Sequence, residues 1–453
     1  MDRHFTMPDR TPLALVLNNR YFRSRIVIDT LTTTGLSALS RALGILVPVF
    51  IAGWFGVSGA TDAFFFSYGM MLFVTGMFTP VVQSVLVPFI SEHIEKRVDT
   101  GRFIGSVCQY SLLLSVLAIA LLIGVVDVAL PLLTRFDAAA RRLVHVLFLE
   151  ASPVIILSIL AGILSGTLNA HKKFGPPATA PGLKALVILS VIFLWKDTLG
   201  VHSILLGYLL GELVRIGYLV PALYRRNLLQ LRFFISLDSR LRSFFRTAFY
   251  QTAGMGLMCL NPIVDQTMAS WLGQGSVSML HYAERLYMIP ISFLTTGLMT
   301  TLLSHWSSSY YRHGSSKLRQ EVKKALYPVL AASAGMSIVL ILANRWLVDL
   351  FYGRGAFAPD ALSTVGTVWA CYLAGFTFYI ASNLYSRVHL TLKNTRLLMK
   401  CALVMLILNG LLNYALMQFL DLAGIAMSTS LCYLFTAIYL RYHLLRSFVE
   451  RTA

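Results

Sequence analysis

The sequence predicts an all-α polytopic membrane protein, with about 12 transmembrane helices in two six-helix bundles that form a parallel pseudo-repeat around a central cavity. Three observations predict it. Of the 453 residues, 57% are hydrophobic and 13% charged, and the mean hydropathy is +0.70, which leaves too little polar surface for a soluble chain of this length. Apolar windows of about 20 residues recur along the whole chain, separated by short connections. Lys and Arg alternate between those connections, about 29 on one side against about six on the other, which places the richer side and both termini in the cytoplasm.

Residues 1–27 read as a basic cytoplasmic tail. Its apolar piece is too short for a cleaved signal and no small-residue cleavage site follows. TPLALVLNNRYFRSR either lies along the membrane surface as an amphipathic helix or stays solvated. Residues 28–224 form the first bundle, with spans centred at about residues 46, 77, 115, 156, 189 and 211. EKRVDTGR and AHKKFG are its basic inner connections. Residues 225–247, from RRNLLQLRFF to RLRSFFR, are a basic cytoplasmic linker. Residues 248–441 form the second bundle, with spans centred at about residues 260, 293, 335, 376, 408 and 431 and inner connections YYRHGSSKLRQEVKK and LKNTR. Residues 442–453 are a cytoplasmic tail.

The halves echo each other. IAGWFGVSG closes the first span and MASWLGQGS the seventh, both reading A-x-W-[F/L]-G at the same outward end. At the same offset ISEHIEKRVDTGR follows the second span and SSSYYRHGSSKLR the eighth. Six spans per unit makes both halves run the same way, and such repeats place a substrate cavity between them. Pro48, Pro80, Pro88, Pro153, Pro262 and Pro290 each free a backbone carbonyl and permit a bend.

The net charge of +18 is spread over many short inner loops, which speaks for membrane orientation and against nucleic-acid binding. The five cysteines stand singly in apolar segments with no metal-ligand spacing and read as small buried hydrophobes. The outer loops are short and carry only the isolated Asp137, Asp197, Asp360 and Asp421, so paired catalytic carboxylates are missing and an enzyme is not expected.

Charges inside spans are costly and face protein or a wet cavity. Glu212 and Arg215 lie three apart in GELVR and read as an internal ion pair. Glu150 sits at a membrane boundary. Arg41 and Arg285, in the first and eighth spans, have no carboxylate three or four positions away. Two readings stand for them: paired within the fold, or facing the cavity as a cationic site for phosphate, whose oxygens a guanidinium grips in a fork.

SRALGILVPVFIAGWFGVSGATDAFF, LVPFISE, ILSGTLNAHKKFGPPATAPGL and GSVSMLHYAERLYMIPISF resemble the MviN/MurJ family of lipid II flippases, in the MOP exporter superfamily. The resemblance runs from about Ile28 to the C-terminus. It implies two six-helix bundles around a cationic cavity that carries an undecaprenyl-pyrophosphate-linked saccharide outward through the bacterial inner membrane by alternating access, for peptidoglycan or another polysaccharide, in a monomer. By this resemblance Arg41 and Arg285 bind pyrophosphate, and Asp62 and Glu284 are the acidic groups of gate and cavity. Asp265, Asn409, Asn413 and Thr429 are the counterparts of a sodium site, and their oxygens suit a hard cation; interhelical hydrogen bonding is the alternative reading. The sequence also departs from the family. Val47 and Pro48 replace an arginine and an aspartate, Thr75 a basic residue and Met288 an acidic one. The twelve spans compare with fourteen in the family's lipid II flippases. These departures imply a less cationic cavity and favour an exopolysaccharide precursor or another lipid-linked glycan. The alternative functions are a cation-coupled multidrug antiporter of the MATE type and, below it, an integral-membrane glycosyltransferase or ligase.

Overall fold

The computed structural model describes residues 20–95, 100–225, 239–295, 298–392 and 394–450, and its regular elements are fourteen α-helices. They are α1 (Arg20–Phe55), α2 (Gly59–Glu95), α3 (Thr100–Leu133), α4 (Ala138–Ala170), α5 (Gly175–Leu199), α6 (His202–Tyr224), α7 (Ser239–Cys259), α8 (Asn261–Ala269), α9 (Ser276–Thr295), α10 (Leu298–Leu342), α11 (Asn344–Tyr352), α12 (Pro359–Ala374), α13 (Phe376–Thr391) and α14 (Thr395–Glu450). Residues 1–19 of the expected basic tail, 226–238 of the expected linker and 451–453 lie outside the described residues. Helix α1 begins inside the expected tail and α7 inside the expected linker.

Local sequence sets these helices and their faces. Helix α4 starts where the Asp137 carboxylate accepts the backbone N–H of Ala140 at 2.7 Å, an N-cap. Its Val144, Leu147, Phe148, Ala151, Val154 and Ile155 recur every three or four residues and are buried, against α2 and α6 among others. Helix α3 does the opposite: Leu113, Leu117 and Leu121 form an exposed apolar stripe, the face a helix turns to lipid tails.

Among the described residues, eight helices are long and apolar enough to cross a membrane, or nine if the bent pair α12 and α13 is one span. The expected count of about twelve differs for physical reasons. The segments expected near residues 260 and 293 fall on α7, which carries Arg240, Arg242 and Arg246, on α8, only 9 residues long, and on α9, which carries Glu284 and Arg285. The spans expected near 408 and 431 share one stretch, Thr395–Ser447. That stretch is not straight. Asp421 has φ 48° and ψ −132°, and the Ser428 hydroxyl donates to the Asn409 carbonyl, 19 residues away, at 3.2 Å. In a continuous helix those residues stand about 28 Å apart, so α14 is a hairpin of two antiparallel arms.

Helices α1 to α6 pack chiefly on one another, and α8 to α14 likewise. Helix α7 packs on α2, α3, α8 and α14, and direct links between the groups run from α2 to α8 and α9, and from α1 to α9 and α11.

Candidate functional site

Between the two groups lies a cavity of about 550 Å³, walled by α1, α2, α5, α6, α9 and the end of α11. Arg41 and Arg285 both line it, together with Ser37, Ser40, Tyr68, Tyr208, Ser292, Tyr352 and His281. Among the described residues, the lining holds no Asp or Glu. Pro48 and Met288, two of the departures from the family pattern, form part of the wall.

Arg285 is held in place. Its Nε donates to Nε2 of His281, one helical turn earlier, at 3.0 Å, and its guanidinium carbon sits 5.8 Å from the centre of the Tyr68 ring. The His281 ring stacks on Phe65, with centroids 4.2 Å apart and planes at 22°. Tyr208 donates to the Tyr68 hydroxyl at 3.2 Å, and Ser40 donates to the Ala178 carbonyl at 2.7 Å, joining α1 to α5 beside Arg41.

One end of the cavity, at the α1–α2 turn, is sealed by contacts between the two groups. Asp62 is 1% exposed; its Oδ2 accepts the Gly275 N–H at 2.5 Å and its Oδ1 the Ser278 N–H at 2.7 Å, so it caps α9 from α2. The Tyr282 hydroxyl donates to the Gly56 carbonyl at 3.1 Å, and that of Tyr352 to the Tyr282 carbonyl at 3.1 Å. The Ala356 N–H reaches the Gly53 carbonyl at 2.8 Å. Gly56 (φ +60°) and Gly355 (φ +73°) allow this approach, since a Cβ on either would run into the opposing backbone.

Asp62 and Glu284, expected at the gate and cavity, are not part of the cavity lining. Successive side chains leave a helix about 100° apart, so α9 turns Arg285 to the cavity and Glu284 elsewhere. Glu284 lies close enough to Asp265, Tyr372 and Tyr433 to interact with them electrostatically. There the structure brings together the four residues expected at a cation site. Asn413 Nδ2 donates to Asp265 Oδ1 at 2.7 Å and to Asn409 Oδ1 at 3.4 Å, and Thr429 Oγ1 donates to Asp265 Oδ2 at 3.4 Å. Asn413 Oδ1 is buried without a hydrogen-bond partner, a spare oxygen in a cluster of oxygens.

Glu212 and Arg215 do pair, at 3.3 Å, but the stronger partner is Lys184 of α5, whose Nζ lies 2.6 Å from Glu212 Oε1. Ser158 of α4 donates to the same carboxylate at 2.7 Å. Lys184 also sits 5.2 Å from the centre of the Tyr208 ring, directly behind the cavity wall. Sequence reasoning did not single out Lys184, Tyr68, Tyr208, His281 or Tyr352. Only His281 and Arg285, four apart on one helix face, carried a local signal.

A family model described as "Lipid II flippase MurJ" matches residues 51–452, a segment that includes Asp62 and Arg285 and begins after Arg41. The chain is 28% identical over 419 residues to a probable lipid II flippase MurJ of Aquifex aeolicus (strain VF5), covering 88% of this chain and 80% of that protein. It is 25% identical over 408 residues to a probable lipid II flippase MurJ of Buchnera aphidicola subsp. Acyrthosiphon pisum (strain APS), covering 87% and 79%. Among solved structures, a lipid II flippase MurJ in an inward closed conformation superposes with a TM-score of 0.79 at 23% identity, covering 93% of this chain and 89% of that one. An inward-facing multidrug resistance MATE family transporter of the MOP superfamily superposes with a TM-score of 0.71 at 14% identity, covering 91% and 96%. The scaffold is therefore common to both kinds of transporter.

Proposed function

The chain belongs to the MurJ lipid II flippase family, and on that premise we propose that it carries a polyprenyl-pyrophosphate-linked saccharide across the bacterial inner membrane by alternating access. The observation that carries this reading is the cavity wall, which presents Arg41 and Arg285 and, among the described residues, no carboxylate. Guanidinium stays charged at any physiological pH and matches phosphate oxygens two at a time. A cavity that must accept a cationic drug calls for the reverse polarity, so the shared MATE-like scaffold does not favour drug export.

In this reading the described helices belong to twelve crossings in two six-helix bundles, 28–224 and 248–441, with both termini in the cytoplasm. The end sealed by Asp62, Gly53 and Gly56 then faces outward, and the cavity receives cargo from the cytoplasmic side. Asp265, Asn409, Asn413 and Thr429 would bind sodium as a coupling ion; a carboxylate, amide and hydroxyl oxygens and the spare Asn413 Oδ1 suit a hard cation. Such an ion biases transport by binding one access state more tightly than the other. Pro48 and Met288 make the wall less charged than the family resemblance leads one to expect, which favours a headgroup read mainly through its pyrophosphate.

Complementation tests the cargo. The chain is expressed in a bacterium whose own lipid II flippase can be switched off, with membrane insertion confirmed. Survival assigns it a murein precursor. Death at normal expression assigns it another lipid-linked glycan, to be sought among exopolysaccharide intermediates. Failure to move any polyprenyl-pyrophosphate in proteoliposomes would overturn the reading.

A further inference from the structure

His281 raises a question of economy. It is 2% exposed and stacked on Phe65, a place where an apolar ring would pack as well. Its Nε2 accepts from Arg285 Nε, so the neutral ring carries its proton on Nδ1. That Nδ1 is buried and has no hydrogen-bond partner. A phenylalanine there would keep the stacking and leave no buried donor unpaired. What the imidazole adds is the acceptor for Arg285.

That acceptor matters because of how a guanidinium binds anions. Arginine has five N–H donors and can grip a phosphate through its side edge, with Nε and one Nη, or through its end, with both Nη atoms. With Nε engaged by His281, the side edge is taken and the end fork remains. Tyr68 lies against the guanidinium at 5.8 Å and limits its swing. We infer that His281 is a positioning residue that fixes Arg285 end-on to the cavity, so that its two Nη groups meet the diphosphate of the cargo. This rests on the function proposed above and deepens it. The residue acts through Arg285, on an arginine whose long stem otherwise loses much rotamer freedom on binding.

The test uses the purified full chain in nanodiscs with farnesyl pyrophosphate as probe, reading affinity and melting temperature. His281→Phe keeps the stacked ring and removes the acceptor; it should weaken binding about tenfold, the worth of one well-made charge-assisted hydrogen bond. His281→Gln restores an acceptor and should bind within about threefold of the parent. The double variant His281→Phe/Arg285→Ala should bind no more weakly than Arg285→Ala alone, because a residue acting through Arg285 has nothing left to position. A merely structural role would shift melting in both backgrounds and show no such coupling. The inference is overturned if His281→Phe binds as the parent does, if His281→Gln is as weak as His281→Phe, or if His281→Phe weakens binding further in the Arg285→Ala background. If Arg285→Ala itself binds normally, it is the pyrophosphate reading of the cavity that fails.

Discussion

Asp62 near the start of α2 accepts the backbone N–H of Ser278 in the first turn of α9 at 2.7 Å, across 216 residues of sequence. Its other oxygen takes the Gly275 N–H, so one carboxylate caps a helix of the opposite group and holds the two together at the sealed end. Removing it leaves two helix-start donors buried and unpaired. Asp62→Ala should cost closure about 3 kcal/mol, which changes a closed-to-open ratio by roughly a hundredfold. A cysteine at the cavity residue Ile51, in a chain with Cys259 and Cys371 replaced by alanine, should then react faster with an impermeant maleimide added from that side. Equal labelling rates would mean that Asp62 does not hold the seal.

The two arginines separate charge from geometry. Arg41→Lys and Arg285→Lys keep the charge and lose the fork, and each should slow flipping of a fluorescent polyprenyl-pyrophosphate lipid in proteoliposomes about tenfold. The double alanine variant should insert normally and not transport. Flipping at the parental rate by the double alanine variant would sink the cationic-cavity reading.

At the cation cluster, Asp265→Asn keeps the shape and removes the charge that a cation needs. Transport by the parent should rise with sodium at fixed ionic strength. Transport by Asp265→Asn should not respond, while its affinity for farnesyl pyrophosphate stays unchanged. A sodium response that survives the substitution would return these residues to interhelical hydrogen bonding.

Glu212 is a matter of stability. It is fully buried and faces Lys184, Arg215 and Ser158, so Glu212→Gln leaves two cations without their counter-charge and should cost about 3 kcal/mol. Glu150, paired with His202 at 2.9 Å, has 39% of its side chain exposed, and Glu150→Gln should cost under about 1 kcal/mol. Melting in detergent compares the two. Equal shifts would mean that burial does not set the difference.

The sequence made the class, the long apolar helices and the intramembrane charges legible, because each is a local pattern. GELVR shows its own ion pair, and the i, i+4 spacing of Asn409 and Asn413 puts them on one face. Lys184 was not legible, since its partner lies on the next helix and the residues between them encode no distance. His281 stands four before Arg285, but that spacing alone does not show that its ring accepts from the guanidinium. Glu284 and Arg285 show the limit most clearly. Helical geometry says that they diverge, but only packing decides that the arginine, and not the glutamate, lines the cavity. The span count fell short of expectation where charge or length took α7, α8 and α9 below the composition of a membrane helix, whereas the turn at Asp421 folds one long helix into two arms over the segments expected near residues 408 and 431.

The seal at the α1–α2 turn is built largely from peptide groups: the Gly53 carbonyl on the Ala356 N–H, the Gly56 carbonyl on Tyr282, and Gly355 pressed close against Gly53. Main-chain atoms are the same in every residue. Most substitutions around this latch therefore leave its chemistry untouched, whereas a single added methyl at Gly56 or Gly355 wedges it apart. Apart from the Asp62 carboxylate and the Tyr282 hydroxyl, such a latch offers no side-chain polarity by which to tune it. It engages when the two backbones come within hydrogen-bonding reach and lets go when they separate by little more than an ångström, which gives the closure a threshold rather than a slope.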